Sequence, residues 1–542
     1  MDHEKVETTG ESPEGDAEIP ALQESPTYPT SLRLWIIALT CSLSGFLSGL
    51  DQTILATAIP KITNDFHTLT GISWWTSSYL LTSATFQLFF GRCNTVFSVK
   101  YVYMTANAMF GLGSIICASA PTSVALIVGR TIAGIGVAGI MSGNVLIVAA
   151  SAPLERRASI TGMMFAFLGI ASVIGPFVGG ALTDRATWRW CFGLNVPISA
   201  CIILSTSFFV QTPQKPDMAN LGFAQKMSKF DMLGTILLTV SFFCLIFALQ
   251  LGGTGSWNEA RVVALFVVAG VLFLIFLGWQ HISKQSTIPA VKDRNVWLAS
   301  MYAGFISGGM FVTITYLPVW FQAVRGASAF RSGVMMTPLV TSFVVMSIIS
   351  GVVTEVIGYY NPSMIFGVIL AAIGAGLLTV LEPSSGHTLW IGFQVLYGFG
   401  AGAGVPPPML VVQTVLSGRD VAMGVAVVSL TQMLSSSIFV AIAQPVFESE
   451  LRKGIAHALP DIQVGDIVSH GARDLANTFS ADQLARLVPA YSEALVKVFF
   501  ITTALSCAAL PCCLALPWRS MKAKSAEENV SETRKGSEAV QA

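Results

Sequence analysis

Long apolar runs separated by short polar ones dominate the chain. About fourteen of them reach roughly 20 residues, the length an α-helix needs to cross the hydrocarbon core of a bilayer. Their approximate extents are 34–56, 74–92, 101–119, 123–148, 160–182, 190–211, 232–251 and 261–280, followed by 298–321, 333–355, 363–381, 389–415, 422–446 and 496–517. The pattern predicts an all-α polytopic membrane protein, with the lipid bilayer as its first partner.

The polar stretches refine that picture. Residues 1–32 are rich in Glu, Pro, Ser and Thr and lack the apolar run of a signal peptide, so they read as a disordered, solvated tail. Between the last two runs, about 447–494 forms a long polar segment expected on the outer side. Its Ile455, Leu459, Leu475, Leu484 and Leu487 recur at helical spacing and predict short amphipathic surface helices. Lys and Arg in the loops fix the orientation. With both termini in the cytoplasm, roughly 18 basic residues lie inside against roughly 11 outside. Tryptophans, among them Trp74, Trp75, Trp188, Trp190, Trp297 and Trp518, fall near the predicted helix ends, as an interfacial aromatic belt would place them. The one N-x-S/T sequon, at Asn529, lies inside in this topology and is expected to stay unglycosylated.

Composition narrows the function. Of the 542 residues, 53% are hydrophobic and 11% charged, with a mean hydropathy of +0.67, whereas soluble domains carry about 25% charged residues. A formal net charge of zero argues against a nucleic-acid partner. The nine cysteines show neither a metal-ligand spacing nor a disulfide framework. No G-x-S-x-G, H-E-x-x-H or phosphate-binding loop occurs, so no enzyme activity and no cofactor are expected.

Chemistry concentrates in residues 126–143, where Arg130 sits inside an apolar run. An arginine at membrane depth costs at least about 2.5 kcal/mol and therefore faces a bundle interior or a wet cavity, in a transport path or in a structural salt bridge. Gly134 and Gly136 behind it let a neighbouring backbone approach closely. Asp51 is the matching carboxylate. At 1.5 Å per residue it lies roughly 12 Å below the outer end of the first run, and Arg130 roughly 9 Å down the fourth. A charge pair between them is allowed, though Asp51 could instead cap a helix near the interface. Burial and a nearby arginine pull a carboxylate's proton affinity in opposite directions, which lets it exchange protons. In the fifth run, Gly169, Gly175, Pro176, Gly179 and Gly180 combine a helix-bending proline with a flat packing face, read as a hinge, a close-contact seam or a plain kink. Gln413 and Gln432 are candidate substrate contacts, with interhelical hydrogen bonds as the alternative reading.

These motifs together resemble the major facilitator superfamily, in its fourteen-helix drug:proton antiporter branch and in particular fungal toxin-efflux pumps. Residues 50–60 (LDQTILATAIP), 126–136 (LIVGRTIAGIG), 175–180 (GPFVGG), 188–197 (WRWCFGLNVP) and 316–322 (YLPVWFQ) carry the likeness, which covers about residues 33–520. The resemblance implies a six-helix bundle over 33–212, two linker helices within 213–296, a second six-helix bundle over 297–519, and a cytoplasmic tail at 520–542. It further implies alternating access, proton influx driving export, and a part for Arg130 in proton transfer.

One departure bears on gating. The family's loop between helices 2 and 3 reads G-x-x-x-D-x-x-G-R-K. Residues 91–100 here keep Gly91 and Lys100 but place Thr95, Ser98 and Val99 at the acid, the second glycine and the arginine. The related stretch 351–358 keeps an acid, Glu355, so the inward gate is expected to rest on Lys100 and Glu355. The segment of the second half that matches the Arg130 run, 398–408, has the glycine spacing but no arginine, which places coupling in the first half. The sequence thus predicts a monomeric, proton-coupled plasma-membrane exporter of small, largely apolar molecules, such as a fungal secondary metabolite or a xenobiotic. A vacuolar or vesicle-membrane location, a basic amino acid or siderophore carrier, and a non-transporting sensor are the alternatives.

Overall fold

The computed structural model describes residues 31–66, 72–211, 232–254, 257–282, 293–327, 329–416, 420–458 and 481–523. The first part comprises α1 (Ser31–Phe66), α2 (Ile72–Thr85), α3 (Gln87–Val96), α4 (Val99–Ala118), α5 (Ser123–Ser151), α6 (Leu154–Arg185), α7 (Trp190–Gly193) and α8 (Asn195–Phe209). Two helices follow, α9 (Met232–Thr254) and α10 (Ala260–Ile282). The remainder comprises α11 (Arg294–Arg325), α12 (Ala329–Met335), α13 (Thr337–Ile357), α14 (Asn361–Leu378), α15 (His387–Gly404), α16 (Pro407–Val415), α17 (Asp420–Ala458) and α18 (Ala481–Leu514). No strand occurs among the described residues.

Twelve spans are long and apolar enough to cross a membrane, and α6, whose axis bends by 41° across residues 173–176, is a thirteenth. The remaining predicted run, 74–92, falls on α2 and α3. Neither suffices alone, but with 14 and 10 residues they reach about 36 Å end to end. The helical path survives the turn at Phe86, because Phe86 N–H donates to Thr82 and Phe90 N–H to Phe86.

Helices meet where side chains are small. On α5, Gly129 and Gly136 lie so close to α4 that a methyl on Gly136 would stand 2.6 Å from both the Ala106 carbonyl and the Phe110 nitrogen. Gly134, on another face, abuts Tyr79 and Thr82 of α2. The second part repeats the device: Gly367 and Gly374 of α14 press on the α15 backbone, and Gly400 presses back on Ala371. Without a hydrophobic drive between helices in lipid, such close approach supplies the dispersion contacts that hold the bundle. Helix α10 packs chiefly on α9 and shows Val263, Val267, Val271 and Leu274 on its exposed surface, as a lipid-facing helix does.

Two expectations change. Trp35, Trp74, Trp190, Trp297 and Trp518 are exposed as a belt requires, but Trp75, Trp188 and Trp320 are fully buried and belong to the core. The 447–494 stretch is not loop at its ends. Helix α17 continues to Ala458 and α18 begins at Ala481, with Ile455 and Leu487 buried in the same apolar cluster. Helical periodicity was present, but it prolongs the spans. The 1–30 tail, the 212–231 and 283–292 parts of the linker, the middle of the 447–494 segment and the sequon at 529 lie outside the described residues.

Candidate functional site: a buried ion pair and two seams

Helix α1 runs unbroken past residue 60, so Asp51 lies within a helix and caps nothing. Its Oδ2 stands 2.5 Å from Nη1 of Arg130, with the two side chains 1% and 0% exposed. Burying two charges is tolerated only when the geometry satisfies them, and here most of their groups are met, Arg130 Nη2 being without a hydrogen-bond partner among the described residues. Arg130 Nε donates to the Trp75 carbonyl at 2.9 Å, and its guanidinium lies 4.1 Å from the Tyr79 ring centre. On the other side Asn195 Nδ2 donates to Asp51 Oδ1 at 2.7 Å and to Ser114 Oγ at 3.3 Å. Side chains of α1, α5 and α8 thus meet at one carboxylate, while α2 holds the far side of Arg130 and α4 supports Asn195 through Ser114.

The pair read from the sequence is therefore formed, while most of its surroundings were not foreseen. Asn195 appeared only as a landmark residue. A lone amide at the start of an apolar helix was the signal that could have marked it, since such groups in a bundle seek partners. Nothing in the sequence distinguishes Tyr79 or Trp75 from other aromatic residues.

Helix α6 carries the glycine motif along two different contacts. A methyl on Gly169 would meet the Phe343 ring at 2.9 Å, and Gly162 abuts the Ser347 carbonyl, both on α13. Gly175 faces α1 instead, against Thr53. Gly179 is buried and accepts a long contact from Cys191 Sγ. Gly180 has open space about it. The motif is a seam over its first part, and the 41° bend falls just ahead of Phe177, in the turn that ends at Pro176.

The two parts of the molecule touch along two lines at the end bearing the α3–α4 and α5–α6 turns. One is α6 on α13, where Ser347 Oγ donates to Gly162 O at 3.0 Å, Gly351 abuts Ala158, and Ser159 Oγ donates to Glu355. The other is α3 on α17, where Gly91 abuts Ala426. Glu355 is thus in a bond that crosses between the parts. Lys100, the other residue assigned to the inward gate, makes no such crossing bond: its Nζ donates to the Ser207 carbonyl at 2.7 Å, within the first part. The reason is topological, since Lys100 opens α4, which packs on α5 and α8 and does not face α13. Gln413 is buried and its Nε2 donates to Met409 on its own helix at 3.1 Å. Gln432 is half-buried on α17. The arginine's counterpart in the second part is Gln394, which precedes Gly398 and Gly400 as Arg130 precedes Gly134 and Gly136.

Spanning helices packed through small residues, joined along two seams and enclosing one buried ion pair, define a polytopic membrane protein of the carrier class. The chain belongs to the major facilitator superfamily, whose sequence profile (Major Facilitator Superfamily) matches residues 41–440. The thioclapurine efflux transporter of Claviceps purpurea is 46% identical over 513 residues, covering 94% of this chain and 95% of its own length. An MFS-type efflux pump of Trichophyton rubrum is 42% identical over 508 residues, covering 93% and 95%. Among solved structures, the proton:xylose symporter XylE matches with a TM-score of 0.61 over 91% of this chain and 98% of its own, at 13% identity, a likeness in fold alone. The family resemblance read from the motifs is established, and with it a multi-pass protein that sits in a lipid bilayer and binds small-molecule substrates.

Proposed function

We propose that this chain is a proton-coupled exporter of small, largely apolar organic molecules, of the kind made as fungal secondary metabolites or met as xenobiotics. The observation that carries the coupling is the Asp51–Arg130 pair. Asp51 and Arg130 are the only buried charged side chains among the described residues, and Gln394 stands at the matching place in the second half. Export of organic molecules is supported by the relatives, which are named efflux transporters and pumps.

In this reading the proton acts through the ion pair. Ionised, Asp51 is held by Arg130 and Asn195. Protonated, it loses most of its attraction to the guanidinium, which keeps the Trp75 carbonyl and the Tyr79 ring. Arg130 therefore stays seated while α1 is released from it, and the proton state of one carboxylate alters the α1–α5 junction. Alternation then acts on the two seams. Their glycine contacts and the Ser159–Glu355 bond close the end that the loop charges place in the cytoplasm.

In this reading 33–212 and 297–519 are the moving halves, 213–296 the linker, both termini are cytoplasmic, and the protein works as a monomer in the plasma membrane. A basic substrate fits less well, because the one buried carboxylate among the described residues is already taken by Arg130. The test is proton counterflow. Vesicles loaded with a pH dye should report proton movement opposite to an added lipophilic substrate, at a rate that follows the substrate. Substrate movement with no accompanying proton flux would remove the coupling.

A further inference from the structure

Gln87 stands four residues before Gly91, and Ser347 four residues before Gly351, so the two occupy corresponding positions in the related stretches of the two halves. Their situations differ. Ser347 bridges the α13–α6 seam through its bond to Gly162. Gln87 is 0% exposed, and neither its Nε2 nor its Oε1 has a hydrogen-bond partner among the described residues.

Its neighbours fix where it points. Leu88 packs with Ala422, Met423 and Ala426 of α17, and Gly91 abuts Ala426. Phe90 lies against Gly139 of α5, and Asn94 Nδ2 reaches Ser142 Oγ at 3.5 Å. Residues three and four apart share a helix face, so Gln87 belongs to both stripes and lies over the groove where α3 meets α5 and α17. An unmet donor and acceptor in an apolar seam oppose its closure, and native structures keep such groups where something else meets them. Separation of α3 from α17 at the Gly91–Ala426 contact would present this amide to the space between the halves.

We infer that Gln87 is a substrate-binding residue that takes a neutral group able both to donate and to accept a hydrogen bond, of the amide or hydroxyl class. A carboxamide offers both functions at one point. An ionised group would find no buried counter-charge to spare among the described residues, because Asp51 and Arg130, the two that are buried, hold each other. A site built around such an amide rejects an analogue that leaves it unpaired. Gln413 is tied to its own helix. Gln394, also fully buried with both amide atoms unpartnered among the described residues, sits between Trp390 and Gly398, which face Phe321 and α13 inside the second half.

The inference rests on the export reading only for the side from which the molecule arrives; binding can be read without transport. The full chain in lipid nanodiscs would be titrated with a lipophilic coumarin carboxamide bearing a free N–H and with the ester of the same coumarin. Wild type should prefer the amide by about tenfold, Gln87→Leu should lower amide affinity by about tenfold and leave the ester unchanged, and Gln87→Asn should keep part of the preference. Gln87→Met, close in shape, replaces the leucine variant if that one folds poorly. Equal affinities in wild type, no binding of either probe, or an equal loss for both probes in the variant would overturn the assignment. A collapsed preference in vesicles that move neither probe would uphold Gln87 and sink the export reading.

Discussion

Replacing Arg130 by methionine isolates the ion pair. The substitution keeps a long unbranched side chain and removes the bonds to Asp51 and to the Trp75 carbonyl, together with the charge over the Tyr79 ring. Asp51 is then left 1% exposed with no counter-charge. Breaking a buried pair from one side costs about 3–5 kcal/mol, and the surviving 2.7 Å bond from Asn195 places the expected loss near the lower end, about 3 kcal/mol. Adding Asp51→Asn removes the orphaned charge, and replacing both partners is commonly near neutral. The double variant should therefore recover most of the stability while transport stays absent in both, because the single variant lacks the guanidinium that holds ionised Asp51 and the double variant lacks the carboxylate as well. The assay is thermal inactivation in lipid nanodiscs, run beside efflux from vesicles. A single variant as stable as wild type, or a double variant no more stable than the single, would mean that Asp51 does not depend on Arg130 for its burial.

Three other outcomes follow from the packing and the seams. Gly136→Ala puts a methyl 2.6 Å from two backbone atoms of α4 and should cost about 1–3 kcal/mol of stability. Gly180→Ala meets open space and should change stability by no more than about 1 kcal/mol, in the stabilising direction, since alanine is the better helix former; thermal scans of the two variants side by side check the contrast. Glu355→Gln or Ser159→Ala should weaken the bond between α6 and α13 and raise the inward-open population. Spin-label distances across that end would show it, and unchanged distances with unchanged transport would remove the bond from the gate.

Much of the fold was legible because hydropathy reports burial in lipid directly. Thirteen of the fourteen runs coincide with helices long and apolar enough to cross a membrane, the fifth of them bent, while the second falls on α2 and α3, divided at Phe86. Helix rise alone placed Asp51 and Arg130 at similar depth, and they are paired. Periodicity along one segment carries no information about which neighbour a face meets, so Asn195, Tyr79 and Trp75 went unassigned. The same limit explains the tryptophans. Position near a helix end does not say whether the ring turns to lipid, as in Trp190, or inward, as in Trp188, whose Nε1 donates to Asp65 at 2.7 Å. Lys100 and Glu355 were both assigned to the inward gate from their motif positions; Glu355 takes a bond from Ser159 across the seam, whereas α4 holds Lys100 beside Ser207. Gln87 escaped notice because a single glutamine in an apolar run reads as an ordinary interhelical bond until its partners are seen to be missing.

Efflux of a lipophilic fluorescent dye from energised vesicles, with and without a protonophore, compared between wild type and Asp51→Asn, would show whether Asp51 couples export to the proton gradient. Wild-type efflux should collapse when the proton gradient is discharged, and the variant should move dye at the same low rate with or without the gradient. Wild-type efflux that persists without a gradient, or an Asp51→Asn variant that still follows it, would contradict the assignment of the proton to this carboxylate.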